Sequence, residues 1–175
     1  QYIKFYPVAS AIIALNVIIY VLSIIPFLGD LIFNYGAGAN YLISDGQWWR
    51  FITPMFLHAG FLHLLFNMFS LYLFGPELEK LAGKLRFLNI YFMAGLFGTV
   101  ATFLLQEASY VHVGASGAIY GLLGAFGALV YYARNTLPQL KQIILPIIVI
   151  SIIMTFLTPN INATAHLTGL AVGFL

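Results

Sequence analysis

Long apolar runs, parted only by short clusters of glycine, proline, asparagine and charged residues, leave this chain almost nothing polar with which to face water. Hydrophobic residues make up 62% of it and charged residues 7%, with a mean hydropathy of +0.97. That is too little polar surface to cover a water-soluble globule of 175 residues. The chain therefore reads as an integral membrane protein. Its formal net charge of +2 is too small to argue for a nucleic-acid partner, and the absence of cysteine excludes disulfides and thiolate metal sites.

Each apolar run can be judged against the roughly 20 residues that a helix needs to cross hydrocarbon. Six candidate spans result, near 7–28, 57–75, 85–105, 115–133, 138–157 and 162–175. The last stops abruptly at Leu175, as in an excised membrane core whose final helix is cut short. The connection over 29–56 is the longest. Gly29, Gly36, Gly38, Asn40, Asp45 and Gly46 break regular structure there, while Trp48 and Trp49 suit a membrane interface, so this first loop is expected to lie in the membrane surface. With no internal repeat or linker, residues 1–175 read as one domain.

If the six spans alternate, Lys4, Lys80, Lys84, Arg86, Arg134 and Lys141 all fall on one side and only Arg50 on the other. The positive-inside rule then puts both termini in the cytoplasm. The second, fourth and sixth spans start at the outer face, and His63, Asn67, Ser116 and His166 all lie within their first few turns. At about 1.5 Å of rise per residue these polar groups share one depth, roughly within 10 Å of the outer edge of the hydrocarbon.

Helical spacing decides which of them can meet. His63 and Asn67 are four residues apart and share a face, as do Ser116 and Tyr120; His166, Gly169 and Gly173 form another stripe. Gly117, Gly121 and Gly124 on the fourth span and Gly169 and Gly173 on the sixth remove side-chain bulk, which lets two membrane helices touch closely. That contact would bring the Ser116 hydroxyl to His166, a nucleophile beside its base. Ser116 also begins its helix, where backbone N–H groups lack intrahelical partners and the dipole favours an oxyanion.

At these residues the chain resembles the rhomboid intramembrane serine proteases. The matching elements are Trp49-Arg50, His58, His63-xxx-Asn67, Glu79, Gly114-x-Ser116-Gly117 with Tyr120, and Ala165-His166-xx-Gly169-xxx-Gly173. The resemblance covers nearly the whole chain. It implies a six-transmembrane-helix bundle and a Ser–His dyad, with Ser116 as nucleophile and His166 as general base and acid. It further implies an oxyanion hole of Asn67, His63 and the Ser116 backbone, supported by Gly117, Gly169 and a Tyr120 packed against the histidine. Arg50 and Glu79 match positions that are structural in the family. Gln47 is a departure, since an acidic residue is common there, and it bears on how the first loop is anchored.

Only Asp30, Asp45, Glu77, Glu79 and Glu107 are acidic, and none falls within a span near His166, so a Ser-His-Asp triad has no evident third member. His-Glu-x-x-His is absent, which argues against an intramembrane zinc protease, and no metal or cofactor is expected. His58 reads as a structural hydrogen-bonding residue and His112 as a solvated loop residue. The function expected is cleavage of single-span transmembrane protein substrates within the lipid bilayer of the cell membrane. The alternative is a catalytically inactive relative that binds transmembrane clients. A transporter is disfavoured because the polar groups cluster on one side of the bilayer without inverted-repeat symmetry.

Overall fold

In the computed structural model, residues 6–132, 138–157 and 162–175 are described. Lys4 and Arg134, two of the charges used above for orientation, lie outside them, as does the end of the fourth span at Ala133. Helices dominate: α1 (Pro7–Ser23), α2 (Leu28–Gly36), α3 (Asn40–Ser44), α4 (Phe61–Ala82), α5 (Lys84–Leu105), α6 (Ser116–Tyr132), α7 (Pro138–Leu157) and α8 (Ala163–Phe174). By length and composition α4 and α5, each of 22 residues, can cross a membrane, and shorter apolar helices lie within α1, α6, α7 and α8. Large apolar side chains point outward, such as Leu62, Phe66 and Phe69 on α4, while Asn16, Asn67, Glu79, Thr102 and His166 are buried. Such an arrangement suits hydrocarbon outside and polar pairing inside.

The second span is longer than the apolar pattern indicates. It was expected over 57–75, yet α4 starts at Phe61 and runs to Ala82, through Pro76, Glu77 and Glu79. The reason is tertiary. Glu79 is buried, and its two carboxylate oxygens accept from the backbone N–H of Val8 at 3.1 Å and of Ala9 at 3.0 Å. These are free donors at the start of α1, where the helix dipole also favours negative charge. α4 then ends at Gly83, whose φ of +91° turns the chain directly into α5 with no side chain to strain.

The first loop has more structure than its glycines suggest. It holds α2 and α3, two short 3₁₀ turns over Trp48–Phe51 and Thr53–Phe56, and a strand, β1 (Gly38–Ala39), paired antiparallel with β2 (Val111–His112). Arg50, only 2% exposed, is the peg that holds it. Its guanidinium donates to the carbonyls of Ala37, at 2.7 Å, and of Asn34, and to Oε1 of Gln47 at 2.7 Å. Gln47 thus supplies an amide oxygen that helps to anchor the first loop. Asn40 fastens the loop to the end of α5, its Nδ2 donating to the carbonyls of Thr102, Gln106 and Glu107.

His112 is not the solvated loop residue that was expected. Pairing of His112 with Gly38 draws its ring onto the strand, and Nε2 is buried without a partner among the described residues. Burial holds this imidazole well below its ordinary range, at about 4.

Two stability predictions follow from these contacts. Glu79→Ala strands two backbone donors and should lower stability by about 1–3 kcal/mol, with Glu79→Gln milder, read from thermal or detergent unfolding. An unchanged melting temperature in Glu79→Ala would mean that the carboxylate does not hold α1. For His112, the neutral form is favoured on folding, so its contribution is fully present above the unfolded pKa near 6.5 and is lost as pH falls towards about 4. Unfolding temperatures followed from pH 7.5 to 4.5 should fall less steeply in His112→Gln than in the unsubstituted protein.

Candidate active site

Two helix starts create the site. Ser116 opens α6 two residues after Gly114, whose φ of +128° makes the turn and whose N–H donates to the Pro54 carbonyl at 2.8 Å. A side chain at Gly114 would strike the His63 ring, so glycine serves both the backbone angle and the space. α8 begins at Ala163, capped by the Asn162 side chain, which accepts from the Ala165 N–H at 3.0 Å and donates to Thr102 Oγ1 of α5 at 3.0 Å. His166 follows in the first turn, buried.

α6 and α8 form the most extensive interhelical contact in the molecule. A Cβ on Gly169 would overlap the Gly117 carbonyl, one on Gly173 the Gly121 carbonyl, and one on Gly124 the Leu170 carbonyl. Backbone therefore lies on backbone. This approach sets Ser116 Oγ 2.9 Å from His166 Nε2. The Tyr120 ring stacks on the imidazole, with centroids 4.2 Å apart and planes 17° from parallel.

The other imidazole nitrogen meets a residue that the apolar reading of the fifth span passed over. Thr155 of α7, 3% exposed, places Oγ1 3.2 Å from His166 Nδ1. Thr155 Oγ1 also lies 2.9 Å from the Ser151 carbonyl and 2.9 Å from the Tyr120 hydroxyl, which itself donates to Ser151 O at 2.9 Å. The signal available in the sequence was Ser151-xxx-Thr155, two hydroxyls one turn apart in an otherwise apolar run.

His63 and Asn67 approach from α4. The Ala59 N–H reaches His63 Nδ1 at 3.4 Å, which leaves Nε2 to carry the proton in a neutral ring, on the ring edge nearest Gly114. Asn67 lies one turn further along α4, buried, and its Nδ2 has no partner among the described residues. His58 departs from expectation. It is 1% exposed, yet both ring nitrogens lack partners among the described residues, and its ring packs against that of His63, centroids 5.0 Å apart.

A small cavity of about 20 Å³ adjoins Ser116, between Met55, Gly95, Gly114, Gly117 and Ala165. It has room for about one water or a very small side chain. A much larger cavity of about 680 Å³ opens between α6, α7 and α8 beside Gly124 and Phe174, at least two helical turns along α6 from Ser116 and apart from these polar groups.

Comparison with known proteins extends the resemblance. A family model described as the rhomboid domain matches residues 45–175. The chain is 40% identical over 176 residues to YdcA of Bacillus subtilis (strain 168), covering 99% of this chain and 88% of that protein. It is 41% identical over 144 residues to the rhomboid protease GluP of the same organism, covering 80% of this chain but 27% of GluP. The rhomboid-like protease 1 of Toxoplasma gondii is 30% identical over 158 residues, covering 87% of this chain and 54% of that protein. The chain belongs to the rhomboid family.

Proposed function

We propose that this protein is an intramembrane serine endopeptidase that cuts transmembrane segments of single-span membrane proteins with a dyad of Ser116 and His166. The observation that carries this reading is the 2.9 Å contact between Ser116 Oγ and His166 Nε2 at a glycine-lined helix crossing. Such a pair has a direct chemical use. As Ser116 Oγ attacks the scissile carbonyl carbon, its proton passes to His166 Nε2; collapse of the adduct expels the amine, which takes that proton, and a water then repeats the sequence on the acyl-enzyme.

The carbonyl oxygen becomes an oxyanion during attack and needs donors preorganised around it. The candidates are the Ser116 backbone N–H at the start of α6, the Asn67 Nδ2 that has no partner among the described residues, and the Nε2–H of His63. A donor left unpaired in a buried site is costly unless a reacting group uses it. Gly169 supports the site by leaving room for the Gly117 carbonyl at the helix contact, and Tyr120 by covering the imidazole. The small cavity beside Ser116 favours a small residue next to the scissile bond. No cofactor or metal enters this chemistry.

The same reading makes residues 1–175 one rhomboid-type core with six spans, α1 and α4 to α8, and a first loop lying in the outer membrane surface through Trp48 and Trp49, both exposed. α6 and α8 both begin at the depth of the dyad. Lys80, Lys84, Arg86 and Lys141 sit at the other ends of their helices, which orients both termini to the cytoplasm and the dyad to the outer face.

Ser116→Ala should abolish cleavage of a transmembrane substrate and labelling by a fluorophosphonate while leaving the helix contact intact, since Ala is equally small. Cleavage near the original rate in that variant removes Ser116 from the mechanism, and a protein that only binds clients would not label at all. Asn67→Ala should lower kcat by up to about 10²–10³-fold with a smaller change in KM, because its donor acts on charge that develops in the transition state. A loss confined to KM would make Asn67 a binding residue.

A further inference from the structure

We infer that Thr155 is the positioning residue for His166, a neutral hydroxyl standing where soluble serine proteases place a carboxylate, and that it fixes the imidazole in the tautomer with the proton on Nδ1. This rests on the protease reading for its purpose, but on hydrogen-bond geometry for its content.

The protons available to these groups fix the assignment. Four groups converge: the Ser151 carbonyl, and the Thr155 hydroxyl, the Tyr120 hydroxyl and His166 Nδ1. The carbonyl can only accept. Thr155 has a single proton, and its nearest acceptors are the Ser151 carbonyl and the Tyr120 oxygen at 2.9 Å, against 3.2 Å for His166 Nδ1. A threonine within a helix also bonds readily to the carbonyl four residues back, as here. With that proton committed to Ser151 O, and the Tyr120 proton directed to the same carbonyl, Thr155 Oγ1 faces His166 with lone pairs alone. His166 Nδ1 must then be the donor, which leaves Nε2 unprotonated towards Ser116 Oγ at 2.9 Å.

The opposite arrangement puts the Thr155 proton on Nδ1 and a proton on Nε2. The imidazole would then donate to Ser116 and could not take its proton. Only Thr155 as acceptor also suits the imidazolium formed during attack, because both ring nitrogens then donate and nothing need rotate. Tyr120 contributes in two ways, by covering the ring and by occupying the Ser151 carbonyl beside Thr155. The three residues come from three helices, α6, α7 and α8, so the tautomer is set where the helices meet.

The test uses the intact protein with ¹⁵N-labelled histidine in detergent or lipid, His166 being assigned by the signal missing from His166→Gln. At neutral pH the unsubstituted protein should show His166 protonated at Nδ1 and bare at Nε2. A predominantly Nε2-protonated His166 overturns the inference. Thr155→Val keeps the shape and removes the acceptor; it should shift His166 towards the Nε2–H tautomer and lower kcat by about 10–100-fold, the scale seen when a metal-bound histidine loses its orienting partner, with KM within about twofold. Thr155→Ser keeps the hydroxyl and should restore both tautomer and kcat. Thr155→Val with unchanged kcat and tautomer refutes the role, as does Thr155→Ser no better than Thr155→Val in a folded protein. Should the unsubstituted protein neither cleave nor label, the protease reading fails, and the tautomer spectrum still decides the role of Thr155.

Discussion

Everything at the polar centre depends on two helix backbones lying against each other. In hydrocarbon, apolar side chains gain little by leaving lipid for protein, so helices associate through close packing and internal polar contacts. Gly117, Gly121 and Gly124 on α6 meet Gly169, Leu170 and Gly173 on α8, where a Cβ added at Gly124, Gly169 or Gly173 would strike a carbonyl of the facing helix. Ser116 and His166 stand at the near ends of this contact, so their separation is set by backbone packing and not by two flexible side chains finding each other. The cap at Asn162, tied to Thr102 of α5, fixes where α8 starts and hence the depth of His166.

The few strongly polar groups away from that centre work on the chain's own backbone. Arg50 gathers carbonyls of the first loop, and Glu79 accepts the free N–H groups of α1. Neither is paired with an opposite charge among the described residues. Burying an ion without such compensation is costly, and backbone dipoles at loop carbonyls and a helix start provide it in a small space. His58 differs, with both ring nitrogens lacking partners among the described residues beside His63.

Sequence and structure agree where one residue's chemistry or spacing decides the matter. Gly169-xxx-Gly173 signals a helix contact, and His63-xxx-Asn67 signals a shared face, because helical periodicity needs no knowledge of partners. They differ at the end of α4 around Glu79 and at His58 and His112, and the apolar reading passed over Thr155. Glu79 and Glu77 looked like the end of a span because apolar pattern counts a buried carboxylate as an interruption, whereas α1 supplies its partners from 70 residues away. His112 looked like solvated loop because the two-residue strand that half-buries it pairs with residues far away in the chain.

From the sequence alone came the solvent, the approximate helices, the glycine faces and the residues able to act as nucleophile and base, since composition and period are local properties. What only the tertiary structure decided was the environment of the second imidazole nitrogen. Thr155, Ser151 and Tyr120 are unremarkable in their own helices, and their oxygens converge only when α6, α7 and α8 are packed. A hydrogen bond depends on distance and direction to within tenths of an ångström and tens of degrees. Residues 35 and 11 apart in the chain carry no mark of that geometry until the helices set it.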